Sequence, residues 1–248
     1  MRNISGKINK VMFYSLSLLH LLGMCTTVHA AGQDELWQKA IKIAEANQWI
    51  PGRIAENEKV FNIKGKLEEQ TETKVQLLRR NAGKVEWKLL KCIKDGKDIT
   101  PKARKEVDKI LNLNKTEKIL DLEPPFEPLI QDKMSVKRLQ QHKMIQGKQC
   151  VAFRYTYRSE DGEVKGTAWI EAYTGVPYEI ESAVSGSFEE DGLKMSELKQ
   201  IDRYKYTAQG EWYLMVSAAD MSIMIKSLLF KFKGRVHAVS TYSQHWKK

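Results

Sequence analysis

From Val151 onward the chain alternates apolar and polar residues in short runs separated by turn dipeptides, and this constrains the fold more than any other feature. Val151, Phe153, Tyr155 and Tyr157 alternate with Ala152, Arg154, Thr156 and Arg158. Asp161-Gly162 then marks a hairpin turn, and the next run sets Ala168 and Ile170 on one face. Thr174-Gly175, Asp191-Gly192, Gln209-Gly210 and Gly234 punctuate further runs: Tyr178, Ile180 and Val184, then strands near 194–207, 211–219 and 229–242. Successive strands with short turns and no crossover helices pair antiparallel, with one apolar face that must be hidden.

The first half carries the same signal more sparsely. Asp34 to Trp49 repeats Trp37, Ile41 and Ala44 at helical spacing, with Asp34 as cap and Pro51-Gly52 as stop. After it the period falls to two in Phe61, Ile63 and Leu67, in Val75 and Leu77, and in Val85, Trp87 and Leu89, which predicts three strands. Asp95-Gly96 is a turn, and Pro101 to Leu113 has the spacing of a short helix or helical turn with Pro101 at its start. Thr116 to Gln131, with Pro124, Pro125 and Pro128 around Phe126, is a linker between two groups of strands. One helix cannot cover about ten strands. The expected fold is therefore mainly β: a large curved antiparallel sheet forming an incomplete or closed barrel, with the N-terminal helix plugging its concave side.

Residues 1–30 lie apart from this fold. Arg2, Lys7 and Lys10 precede the apolar run Val11 to Met24, and Val28-His29-Ala30 offers small residues for a signal peptidase, so the mature chain is expected to begin at Ala31. Met24 stands where a lipoprotein signal ahead of Cys25 wants a smaller residue. Removing the leader takes 41 basic residues to 38 against 31 acidic ones, a net charge of +7. Export argues against nucleic acid, and interspersed acids make the charge a solvated face. No later stretch nears the roughly 20 apolar residues of a membrane span. The mature chain reads as one domain, 31–248, in the periplasm. Cys92 and Cys150, 58 residues apart, are the even pair open to one disulfide.

Catalytic and cofactor patterns are missing: no GxSxG elbow, HExxH helix, phosphate loop or dinucleotide glycine pattern occurs, so neither enzyme activity nor a cofactor is expected. His142, His237 and His245 stand at no metal-ligand spacing, and Glu189, Glu190 and Asp191 precede Gly192 at a hairpin tip, where charge is solvated. The lining expected for an apolar hollow is Phe61, Ile63, Leu77, Trp87, Phe153, Tyr155, Ile170, Ile180, Trp212 and Leu214. Arg79 shares a face with Val75 and Leu77, where it either snorkels to water or sits at the hollow's mouth as a latch.

The export signal, single helix and long meander, with residues 161–178 (DGEVKGTAWIEAYTGVPY) and a last strand ending Ser240-Thr241-Tyr242-Ser243, resemble the periplasmic outer-membrane lipoprotein carrier superfamily, LolA-like with LolB, LppX and RseB relatives. The resemblance implies an incomplete barrel whose carriers hold lipoprotein acyl chains without covalent chemistry. It also implies a lid-locking Arg, for which Leu78-Arg79-Arg80-Asn81 is the nearest match, without the family's Pro. Carriage of lipid or lipoprotein acyl chains is the expected function. The alternative is a regulatory or scaffolding envelope protein with a filled interior that binds a protein partner.

Overall fold

A computed structural model of the chain describes residues 34–47, 49–79, 85–105, 125–159, 162–190, 193–226 and 231–247. The expected leader and cleavage point lie outside them. Helix α1 spans Glu35–Ala46. The Asp34 carboxylate accepts from the Leu36 amide at 2.8 Å, supplying an acceptor for one of the orphan donors at the helix start. The helix ends before Trp49 because Asn47 leaves it: its side-chain amide donates to Ile43 O at 2.9 Å, and its Oδ1 accepts from the Trp212 amide at 3.1 Å. Trp49–Ile50 (β1) instead pairs with Trp246–Lys247 (β13) in a small separate sheet.

The other strands are β2 (Arg53–Asn62), β3 (Leu67–Arg79), β4 (Val85–Lys94), β5 (Lys97–Asp98), β6 (Ser135–Ile145), β7 (Lys148–Ser159), β8 (Gly162–Glu171), β9 (Pro177–Glu190), β10 (Leu193–Tyr206), β11 (Trp212–Lys226) and β12 (Lys231–Ser243). They form one eleven-stranded antiparallel sheet in the order β5-β4-β3-β2-β12-β11-β10-β9-β8-β7-β6. Two meanders, β2–β5 and β6–β12, are thus joined where β12 pairs with β2, and β5 and β6 remain as edges. The sheet is not closed into a barrel, as the incomplete-barrel expectation allowed.

Two readings of the first half need correction, and a third is met as far as the described residues reach. Phe61, Ile63 and Leu67 do not share a strand: the chain reverses between β2 and β3, with Asn62 Oδ1 accepting from the Lys64 and Lys66 amides and Gly65 at φ 78°. The inward residues of β2 are Ile54, Glu56, Glu58 and Val60, so the alternation runs through two glutamates. The linker is also more than a crossing. It ends in a 3-10 turn, Pro128–Lys133, that puts Phe126 into the core, and β6 follows at once. Residues 100–105 are helical, and the remainder of the helix expected to Leu113 lies outside the described residues.

Candidate binding face

Two apolar clusters and a polar belt account for much of the inward face, and Val60, Met195, Ile223, Ile225 and Val236 are buried outside both clusters. The larger cluster lies under α1. Trp37 is fully buried, its ring 4.8 Å from Phe126, 5.7 Å from Phe153 and 6.3 Å from Tyr155. Its indole N–H donates to Gln131 Oε1 at 3.0 Å, and the Gln131 amide donates in turn to the carbonyls of Pro125 and Glu127. Gln131 thereby ties the helix to the linker, while the Trp37 ring packs on Phe153 and Tyr155 of the sheet. Ile170, Ile180, Tyr204 and Trp212 belong to the same cluster. Tyr204 and Trp212 stack at 4.2 Å, and the Trp212 indole donates to Pro177 O at 2.6 Å.

Tyr155 lies flat across Gly166, where a Cβ would come within 2.3 Å of its ring and 2.2 Å of Glu181 O. Its hydroxyl is 2.6 Å from Ser182 Oγ, and burial raises its pKa well beyond the ordinary tyrosine range. The smaller cluster gathers Ile50, Ile54, Val75, Leu77, Leu89, Cys92 and Ala103 at the other end of the sheet.

Of the expected lining, Phe153, Tyr155, Ile170, Ile180 and Trp212 meet in one cluster, and Leu214 packs at its margin. Leu77 sits in the other. Two positions are overturned. Ile63 is 71% exposed at the hairpin tip, and Phe61 is half-buried because alternation turns it away from inward-facing Val60. The backbones of Trp87 and Arg79 pair with Leu77 and Val85. Their side chains, and with them the latch, lie outside the described residues. The five clustered positions do not line an open hollow, because Trp37, Leu36, Ala40 and Ile41 of α1 occupy the space above them.

The disulfide is overturned as well. Cys92 on β4 and Cys150 on β7 are buried in different clusters with seven strands between them, and neither is bonded to another cysteine. Burial, reinforced by Glu171, pushes the Cys150 thiol up to about 11.

The polar belt follows one register row. From β4 to β7 it reads Lys94, Thr71, Glu58, Ala238, Ala219, Gln200, Ser182, Gly166 and Tyr155. The adjacent row carries Thr73, Glu56, Ser240, Ser217 and Asp202. Glu56 accepts from Ser240 at 2.9 Å, Glu69 pairs with Lys94 at 2.6 Å, and Asp202 accepts from the Gln200 amide at 3.0 and 2.8 Å. Glu58 is 2% exposed, and neither of its carboxylate oxygens has a hydrogen-bond partner among the described residues. Burial, with Glu56 and Glu69 adding to it and Lys94 opposing, holds its pKa well above the ordinary 4.5.

The convex face is differently organised. Lys143 reaches Glu179 at 2.6 Å and covers the Trp169 ring at 4.0 Å, while Arg203 reaches Glu179 at 2.8 Å. Burial works to raise the Glu179 pKa, but these two cations outweigh it and leave it below its ordinary value. His237 pairs with Asp220, and His245 bonds Leu214 O and stacks on Tyr213. Burial lowers the His245 pKa. A depression of about 360 Å³ lies beside the β4–β5 turn, lined by Leu67, Gln70, Glu72, Ile93, Asp95 and Gly96. Among the described residues no group of three or more His, Cys, Asp or Glu could hold a metal ion, and no helix is long and apolar enough to cross a membrane.

The sequence pattern missed Phe126 and Gln131, which lie in a proline-rich stretch with no strand period, and Glu56 and Glu58, whose polarity masks the alternation of β2.

No protein-family model matches the chain, and no curated protein matches it. Two solved structures show a loose likeness. A DUF1329 family protein from Desulfovibrio piger is 10% identical, with 86% of this chain and 92% of that one covered and a TM-score of 0.35. A domain described as an outer membrane lipoprotein-sorting protein, from Vibrio parahaemolyticus, is 12% identical, with 85% and 92% covered and a TM-score of 0.31. At such scores neither likeness carries weight for the function of this chain.

Proposed function

We propose that this chain is a non-catalytic periplasmic binder of acyl chains or similar apolar groups, in which α1 occupies the site when no ligand is bound. The observation behind this reading is the seating of Trp37. A helix side chain fills an aromatic socket built by the sheet and the linker, so withdrawing α1 would leave a hollow walled by Phe153, Tyr155, Ile170, Ile180 and Trp212.

Magnitudes permit the exchange. Returning Leu36, Trp37 and Ile41 to water costs on the order of 1.5–3 kcal/mol each. A chain of about 14 methylenes gains ~0.8 kcal/mol per methylene, roughly 11 kcal/mol before association costs. The incoming ligand matches what the helix gives up. The polar ties of α1 are few: the Asp34–Arg138 ion pair at 3.2 Å is partly exposed, and Gln131 and Asn47 supply the others described above.

The test is native mass spectrometry of protein purified without detergent, with and without added decanoate or decan-1-ol. Discrete acyl adducts that grow in the Trp37→Ala variant support the reading. A chain that stays bare at saturating ligand, in wild type and variant alike, refutes it and leaves the filled-interior scaffold.

A further inference from the structure

The eleven-stranded sheet ends on two edges that are finished differently. Strand β5 is two residues long, Lys97–Asp98, and offers a neighbour almost nothing to pair with. Strand β6 runs the eleven residues Ser135–Ile145, pairs with β7 alone among the described strands, and leaves most of its side chains exposed. An uncovered strand of that length presents a row of unpaired N–H and C=O groups, a template for a further strand.

The charge on this edge decides which strand fits it. From Lys133 to Lys148 the sequence holds five Lys or Arg and no Asp or Glu. Arg138 is matched by Asp34 and Lys143 by Glu179. Lys137 has no acidic partner among the described residues and stands directly opposite Arg154 of β7, which is exposed and has none either. Like charges facing each other across a ladder are destabilising. A second copy of this chain is therefore excluded by its own charge, since pairing β6 with β6 sets cations against cations, whereas an acidic strand relieves the repulsion at Lys137.

The edge is also held ready. Met134 N donates to Gln131 O at 3.2 Å where the 3-10 turn ends, so β6 leaves a pinned linker. Arg138 is fixed between Asp34 and the Phe153 ring, 5.9 Å from its centroid. Ser135–Arg138 pairs regularly with Phe153–Thr156 before the register shifts ahead of His142. Little ordering cost is left on this side of the interface.

We infer that Ser135–Arg138 is a docking edge for an extended acidic segment of another protein, which adds to the sheet as a further strand and sets a carboxylate beside Lys137 on the Arg154 face. The edge uses none of the socket under α1, so it stands whether or not that socket takes an acyl chain.

The probe is the capped nonapeptide EVTVEVTVE, titrated into the full chain by fluorescence anisotropy. Its controls are KVTVKVTVK and two copies of the acidic peptide N-methylated on alternate residues, one in each frame. The acidic peptide is expected to bind at least tenfold tighter than the basic one and to protect the amides of Ser135–Arg138 from hydrogen exchange. One methylated frame, which removes the donors facing β6, should lose binding, and the other should keep it. Lys137→Glu, at an exposed position, should weaken the acidic peptide at least tenfold with a native circular dichroism spectrum. Equal affinity of the two methylated frames, protection centred elsewhere, or affinity untouched by Lys137→Glu overturns the inference. So does an acidic peptide that fails to bind at millimolar concentration, or a dimer of the peptide-free protein that protects β6, which would give the edge to a second copy.

Discussion

One concave face serves two ends of the same sheet with opposite chemistry. Beneath α1, strands β7 to β10 turn aromatic and branched side chains inward, and the helix and linker close over them in a dry, interlocked cluster. Around β2 and β3, the same alternation turns Glu56, Glu58, Glu69, Thr71 and Thr73 inward, and these are just as buried. Strand geometry decides which residues face in; only the sequence decides whether they suit an interior. The first end therefore contributes stability, whereas the second holds polar groups at a cost that stability alone does not explain.

If this contrast is right, substitutions at the two ends behave differently. The largest effect belongs to Trp37→Ala, which empties the socket and should lower stability by about 3–5 kcal/mol in urea unfolding. A loss under 1 kcal/mol would mean that the cluster collapses freely and is no rigid socket. Gly166→Ala comes next, at about 1–3 kcal/mol, because the new methyl meets the Tyr155 ring and a backbone carbonyl. A neutral outcome would show that Tyr155 is not held down on that strand.

At the polar end, Glu58→Gln sharpens the comparison through pH. The folded pKa of Glu58 lies above the unfolded one, so well below pH 4.5 both states are protonated and the native state keeps its full contribution. As pH rises from there toward the folded value, the unfolded chain loses its proton first and the wild type loses stability relative to the variant. Unfolding free energies measured from pH 4 to 9 should show that gap opening in favour of Glu58→Gln; a gap independent of pH would place Glu58 in water. The smallest effect is at the hairpin tip, where Ile63→Ser should stay within about 0.5 kcal/mol because the side chain is already exposed.

How much of this the sequence showed follows the same divide. The β7–β8 hairpin was legible in full, since Phe153 and Tyr155 face in while Arg154 and Arg158 face out, and a clean period of two leaves one register. Strand β2 was not, because inward Glu56 and Glu58 are as polar as the outward Asn57 and Lys59, which moved the apparent alternation one step along to Phe61 and Ile63. Strand β6 was hidden for a related reason: as an edge with most side chains exposed, Ser135–Ile145 carries no strong burial pattern. The socket needed contacts distant in the chain, since Trp37 and Gln131 are 94 residues apart and no local period joins them. Burial also defeated the disulfide reading: Cys92 and Cys150 serve as small apolar residues of two separate clusters.

Displacement of the helix is what the proposed binding activity requires, and hydrogen–deuterium exchange reports it directly. With saturating decan-1-ol, amides of Glu35–Ala46 should lose protection while those of β7 and β8 keep theirs, because the ligand takes the place of Trp37 over an intact sheet. Unchanged or increased protection of α1 at full occupancy would mean that the helix is a permanent part of the core, and the account would be wrong.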